Sequence, residues 1–431
     1  MNTLSILFCG RPGDGALTAG HGLVRALAGL GVPAACDGDF PRVGDRSGRV
    51  RVRVRIFPPG AAAGFPGRPD VLVSLHDPSA IGEMSTLSDD GAVIFEGNPP
   101  GYLEEDVALA GHVGPLMHGL GIPLRDISRH VSGTRSHRNA VALGALASCL
   151  GLPREVVREA LAEGLSGKED PVRGAARDAF DEGYRQGLGR GETRLPPRFR
   201  PGPFPAGPPL RALTGAEALV EGFRAGSQEV SVPRFPLPAG GAPLPAPGPP
   251  PRAPLRIFGG RDVLVEPVLK AFSLHGGSGV AVHALPGPTA AAARALGCAF
   301  AARIRDPGAA GIAGPLALAV VNGEELPALS AFLGAALRQG CPLVVAAVSG
   351  PVSAGQPAGG PLFIPDPAAC APVDADEPGT EPPRLLTTTA VTPLDGREAA
   401  ARLAARVAEG SRPGLLRLSS AFLPGMETEH P

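Results

Sequence analysis

The opening of the chain is its most constraining feature. Leu4-Ser5-Ile6-Leu7-Phe8 is a short apolar run, Gly10 to Gly15 holds three glycines in six residues, and Leu17 to Leu30 spaces its apolar residues as a helix does. An apolar strand that turns through glycine into a helix is the start of a βα unit, and such a strand needs a sheet with covered faces to bury it. The turn also presents backbone N–H groups at a helix start, where an anion can bind. Taken alone, the same glycines equally fit a plain tight turn that needs positive φ.

The strand and helix signals continue along the chain. Arg49 to Ile56 alternates arginine with valine or isoleucine at period two, which predicts a strand with one face on a core and one charged face, at or near a sheet edge. Val71-Leu72-Val73-Ser74-Leu75, after Asp70, and Ala92-Val93-Ile94-Phe95, before Glu96, read as further buried strands. Asn139 to Leu150 suits a tightly packed helix, Pro153 to Leu165 an amphipathic helix with proline in its first turn, and Asp170 to Gly187 a polar helix.

Leu195–Pro209 and Pro236–Pro254 are too dense in proline for a helix or a central strand. Between them Ala212 to Ala225 is a short helix candidate carrying Glu217 and Glu221. From Leu255 the alternation resumes, with strands at Leu255–Phe258, Val280–Val282, Leu316–Val321, Leu343–Val348 and Gly414–Leu418, and helices at Ala290–Ile304, Leu326–Leu337 and Gly396–Glu409. The expected fold class is α/β: two open α/β domains joined by Pro/Gly-rich linkers, with residues 1–190 as the first, 191–254 as linker and start of the next, and 255–431 as the second.

Several function classes are disfavoured. Lys+Arg 40 against Asp+Glu 41 leaves a net charge of -1, without the basic excess of a nucleic-acid coat. No run approaches the roughly 20 apolar residues of a membrane span, and Met1 to Gly10 has no basic leader, so a cytoplasmic protein that binds no membrane is expected. The cysteines (Cys9, Cys36, Cys149, Cys298, Cys341, Cys370) form no C-x-x-C pair, which argues for free, mostly buried thiols and against an iron–sulfur cluster or zinc ribbon in this chain.

His112, His118, His130 and His137 match no zinc spacing and are read as packing or exposed side chains. No Lys-Ser/Thr follows the glycine turn, its spacing departs from a dinucleotide fingerprint, and no G-x-S-x-G elbow exists. Arg46 and the arginines at 49, 51, 53 and 55 either face an anionic cofactor such as coenzyme A or form a solvated strand face.

The ordered motifs resemble a known family. The glycine turn with Thr18-Ala19-Gly20, then Phe40-Pro41, Arg46-Ser47-Gly48 and the valine–arginine strand are similar to the gamma domain of 2-oxoacid:acceptor (ferredoxin/flavodoxin) oxidoreductases. Ser47 stands where a glycine is usual. Arg138-Asn139-Ala140-Val141-Ala142-Leu143-Gly144 and Gly183-Tyr184 extend the resemblance over roughly residues 4 to 187. Gly10, Gly13, Gly15, Thr18, Arg46, Ser47 and Gly48 are the candidate cofactor-binding residues, with coenzyme A a candidate ligand.

The order of domains resembles a gamma domain fused ahead of an alpha-type, thiamine diphosphate pyrimidine-binding domain. Leu213-Thr214-Gly215-Ala216-Glu217-Ala218 resembles its start, and Gly350-Pro351-Val352-Ser353-Ala354-Gly355-Gln356-Pro357 its G-P-S-T-G-x-P loop. Two departures stand out. Phe235-Pro236-Leu237-Pro238 lacks the threonine of the family's Y-P-I-T-P, and Pro286-Gly287-Pro288 stands where the family's cofactor-protonating glutamate is expected, with Glu266 a candidate replacement. Proline and glycine cannot exchange a proton.

The resemblance implies a subunit that takes part in oxidative decarboxylation of a 2-oxoacid. Thiamine diphosphate and Mg²⁺ would be shared with or held by a beta-type partner subunit, an iron–sulfur cluster would sit only on a partner, and a ferredoxin-type protein would accept the electrons. No catalytic residue and no metal ligand is assigned in this chain. The alternative from another class is a non-catalytic paralogue with an assembly or regulatory role.

Overall fold

In a computed structural model the chain falls into two compact units, Met1–Leu213 with Pro424–Pro431, and Thr214–Leu423. The structure describes residues 3–39, 48–58, 67–97, 109–134, 136–189, 208–229, 255–260, 265–275, 280–305, 316–322, 329, 333, 336, 341, 343–349, 386–390, 393–410, 413–419 and 426–429. The proline-dense segments lie outside these residues except for 208 and 209, as does most of the helix expected at 326–337.

The first unit is a mixed sheet. Strands β1 (Leu4–Gly10), β4 (Val71–Ser74), β5 (Ala92–Glu96) and β6 (His118–Ile122) run parallel, whereas β2 (Ala34–Asp39) and β3 (Val50–Ile56) form an antiparallel ribbon on the other side of β1, giving the order β6-β5-β4-β1-β3-β2. All seven residues of β1 are buried. Its alternate side chains feed two cores, Leu4, Ile6 and Phe8 entering the larger one and Leu7 and Cys9 a smaller one on the opposite face. A strand covered on both faces reads as an unbroken apolar run, which is the pattern the sequence carries.

The valine–arginine strand is β3, and it is internal rather than at an edge, paired with β1 on one side and β2 on the other. Val50, Val52, Val54 and Ile56 are buried in the larger core. On the opposite face Arg51 pairs with Asp39, directly across on β2, and with Glu83, which Arg49 also approaches. Alternation reports that a strand is covered on one face and says nothing of its neighbours in the sheet. Carboxylates on an adjacent strand are what allow an arginine row inside a sheet.

Helices α1 (Ala16–Gly29), α4 (Arg138–Leu150), α5 (Arg154–Gly164) and α6 (Asp170–Gly189) build the larger core, while α2 (Asp77–Ile81) contributes to the smaller one and α3 (Leu124–Ser132) follows β6. Pro153 occupies the position before α5 in an extended conformation, one step earlier than expected. The polar helix α6 still buries Ala176, Ala179 and Phe180. Its crossing with α4 is set by glycine: a Cβ on Gly144 would lie 2.1 Å from the Phe180 carbonyl oxygen, and one on Gly183 would lie 2.0 Å from that of Val141. Beside it the Tyr184 hydroxyl donates to the Leu152 carbonyl at 2.9 Å.

The second unit holds an all-parallel sheet of β8 (Leu255–Gly260), β9 (Val280–Leu285), β10 (Leu316–Asn322), β11 (Leu343–Ser349), β12 (Leu386–Ala390) and β13 (Gly414–Ser419), in the order β12-β13-β11-β10-β8-β9. Helix α7 (Gly215–Glu229) precedes the sheet, and α8 (Glu266–His275), α9 (Pro288–Arg305) and α10 (Pro393–Gly410) follow β8, β9 and β12. Ala291, Ala292, Ala295 and Ala299 of α9 pack on β10 and β11. Gly222 and Gly226 bring α7 against α10, since Cβ atoms there would lie 2.3 Å and 2.2 Å from the carbonyl oxygens of Arg397 and Ala401.

The first sheet is completed from far along the sequence. Strand β14 (Met426–Glu429) pairs antiparallel with β2, Met426 opposite Cys36, and lies between β2 and β7 (Arg211–Thr214). The Ala34 N–H donates to the buried Thr428 hydroxyl oxygen at 2.9 Å.

Candidate functional site at the carboxyl edge of the first sheet

β1, β4 and β5 are parallel neighbours, so their carboxyl ends lie along one edge. Beyond β1 comes the glycine turn, beyond β4 the stretch Leu75-His76-Asp77, and β5 ends on Glu96. In open α/β sheets this edge is where ligands gather.

The three glycines of the turn do different jobs. Gly15, at φ 82°, precedes α1, whose first turn has no side-chain cap and no acidic residue. Gly13, at φ 91°, borders open space. Gly10 has ordinary φ and is buried, with a Cβ there 3.1 Å from that of Asp14 and 3.3 Å from that of Leu75. Thr18 lies half-buried in the first turn of α1, and Gly48 is buried just before β3. Arg46 and Ser47 lie outside the described residues, as do Phe40-Pro41, Phe235–Pro238 and the loop at 350–357.

The Arg138-Asn139 pair is the brace of this turn. Asp14 accepts the Arg11 N–H on Oδ2 at 2.8 Å and Arg138 Nη2 on Oδ1 at 2.7 Å. Arg138 Nη1 donates to the Leu75 carbonyl at 3.1 Å, joining the ends of β1 and β4 to the start of α4. Asn139 Nδ2 donates to the Gly15 carbonyl at 3.3 Å, and a Cβ on Gly15 would lie only 2.5 Å from that nitrogen.

Three residues that sequence reasoning did not select join the same edge. His76 places Nδ1 at 2.7 Å from the Ser79 hydroxyl; burial, with Arg11, Arg138 and Arg125 nearby, holds its pKa below the ordinary value, against the opposing pull of Asp14. Glu96 accepts the Arg125 N–H on Oε2 at 3.0 Å, with Arg125 Nε at 3.7 Å, and burial pushes its carboxyl up to about 7. Asp77 is raised by burial too, although the Ser74 hydroxyl donates to it at 2.6 Å. The only sequence signal for Glu96 was its place directly after a buried strand.

The remaining candidates separate from this edge. Cys9, Cys36, Cys149 and Cys341 are buried, and Cys298 is half-buried. His112, His118, His130 and His137 sit on different elements. Among the described residues no three His, Cys, Asp or Glu side chains come together as a metal site, and no helix is long and apolar enough to cross a membrane. In the second unit β9 passes through Pro286 and Gly287 straight into α9, and Glu266, at the start of α8, is exposed.

A parallel-strand edge headed by a glycine turn, braced by an Arg-Asn pair from a later helix, defines the class: an open α/β domain with a candidate ligand-binding edge. Residues 5–186 match the family described as pyruvate ferredoxin/flavodoxin oxidoreductase.

Among solved structures, 2-oxoglutarate:ferredoxin oxidoreductase from Magnetococcus marinus, described with 2-oxoglutarate, coenzyme A and succinyl-CoA bound, matches over 100% of this chain with a TM-score of 0.71 and 17% identity. The match extends over 66% of that chain, so the present chain spans about two-thirds of its length. The gamma subunit of a keto/oxoacid ferredoxin oxidoreductase from Geobacter sulfurreducens PCA aligns with 43% of this chain and 99% of its own, at 20% identity and TM-score 0.35. Pyruvate oxidoreductase subunit PORC from Thermotoga maritima aligns with 43% and 97%, at 22% identity and TM-score 0.35. Among curated proteins none matches the sequence.

Proposed function

We propose that this chain is a subunit of a cytoplasmic 2-oxoacid:ferredoxin-type oxidoreductase complex, with residues 1–190 serving as its gamma-type domain. The observation that carries the reading is the family match over residues 5–186, which contains the whole glycine-turn edge. Gly10, Gly13, Gly15, Thr18 and Gly48 at that edge, together with Arg46 and Ser47 from the same sequence motif, would hold coenzyme A. The uncapped N–H groups of α1 are suited to its diphosphate, and Arg138 fixes the turn that presents them. Coenzyme A would supply the thiol that accepts an acyl group, and this chain's own task is to bind and orient it.

Thiamine diphosphate fits this chain poorly. The junction between β9 and α9 offers proline and glycine where a carboxylate would protonate the cofactor, and Glu266 stands exposed in solvent. We therefore place thiamine diphosphate with its Mg²⁺, the iron–sulfur cluster and the ferredoxin contact on partner subunits, a beta-type subunit first among them. No step is assigned to the second unit, Thr214–Leu423.

The same junction favours a second reading, in which the chain is a non-catalytic paralogue that assembles or regulates such a complex. Co-purification of the tagged chain from its host, followed by 2-oxoacid-dependent dye reduction with thiamine diphosphate and coenzyme A added, separates the two. Activity that is lost when this chain is omitted supports the enzyme subunit. An assembled, inert complex supports the paralogue, and isolation without partner subunits sinks both.

A further inference from the structure

Glu96 is the one carboxylate that terminates β5 at the site edge. Its side chain is 12% exposed, Oε2 takes the Arg125 N–H, and Oε1 is buried with no hydrogen-bond partner among the described residues. The charged groups facing it come from three helices: Arg125 and Asp126 from α3, Asp77 from α2, and Arg138 from α4, the last also under the influence of Arg11 and Asp14. His76 lies within the field of Arg11, Arg125 and Arg138. Arg138, which braces the glycine turn through Asp14, thus also lies within the field of Glu96 and of its partner Arg125.

We propose that Glu96 couples anion binding at this edge to the uptake of a proton. The inference rests on the reading of the edge as the coenzyme A site. An incoming diphosphate draws on Arg125 and Arg138, the same cations that offset the Glu96 charge, and buried like charges that share counter-ions disfavour one another. A proton on Oε1, the oxygen that lacks a partner, removes the conflict. Burial already outweighs Arg125 and pushes this carboxyl up to about 7, so the proton is exchanged near neutral pH.

The sign is fixed. A neutral Glu96 favours the anion and an ionised one opposes it, so affinity is highest below the Glu96 titration and falls above it, by up to about tenfold per pH unit. Linkage makes the effect reciprocal, and the bound anion raises the Glu96 pKa further.

The test is titration calorimetry of the full chain with dephospho-coenzyme A, whose diphosphate does not titrate between about pH 6 and pH 8.5. Measured at pH 7.5 in two buffers of different ionisation enthalpy, wild type is expected to take up a substantial fraction of a proton on binding. Glu96→Gln is expected to bind with no uptake and to lose the weakening of up to about fivefold between about pH 7 and pH 8. Binding with no proton uptake by wild type, or with the same uptake in Glu96→Gln, overturns the role of Glu96 and leaves the site standing. No binding by wild type at any pH overturns the site reading and the coupling with it. The wild-type proton count decides the question even if the variant does not fold.

Discussion

Arg138 and Asp14 are 124 residues apart in sequence and 2.7 Å apart in space, with side chains 12% and 10% exposed. Through this bond the first residue of α4 sets the shape of a turn that opens the chain. Removing one partner of a buried pair leaves an uncompensated charge, so Arg138→Met is expected to cost about 3–5 kcal/mol. Urea denaturation reads the loss, and Arg138→Lys should recover only part of it, because one ammonium cannot span Asp14 and the Leu75 carbonyl as a guanidinium does.

Gly15→Ala meets two obstacles, positive φ and the amide of Asn139. Left-handed backbone alone costs an ordinary residue about 1–2 kcal/mol. Combining it with Asn139→Ala should return part of the further loss. A double-mutant cycle by thermal unfolding checks this, and strict additivity would refute the contact.

On α6 two glycines should answer oppositely to alanine. Gly183→Ala forces α4 and α6 apart and is expected to destabilise by at least about 1–3 kcal/mol. Gly174→Ala meets nothing within 4 Å and should be neutral or stabilising by about 0.5–1 kcal/mol. Melting temperatures of the two variants measure the contrast.

Glu96 also makes stability depend on pH. Its folded pKa of about 7 lies above the ordinary 4.5, so its contribution is intact below the ordinary value and is lost as pH rises through 7. Glu96→Gln should therefore be close to neutral near pH 4 and stabilising near pH 8, by up to about 3 kcal/mol. Denaturant midpoints at the two pH values check the sign, and equal effects at both would refute it.

Much of the fold was legible because burial leaves a period. β1, α1, β4, β5, α4 and α6 follow apolar patterns that local sequence carries. β2 (AACDGD), β6 (HGLGI) and β14 (METE) were not legible, since small, glycine and polar residues give no period, and their strands exist only because neighbours supply the ladder. β3 was found and misplaced, because pairing partners are a tertiary property.

The site divides the same way. Gly10, Gly13, Gly15 and the Arg138-Asn139 pair carry motifs, and the structure shows why those residue types occur together. His76, Glu96 and Arg125 carry none, because only the parallel register of β1, β4 and β5 collects them.

Strand β14 gives the first unit a schedule as well as a shape. Its sheet cannot be finished when residues 1–213 leave the ribosome, since the strand that separates β2 from β7 is still unmade, and the whole second unit must be translated first. Until then the edge of β2 that β14 covers in the finished sheet has no strand to pair with from its own C-terminus, so completion of this sheet is a late, long-range step of folding.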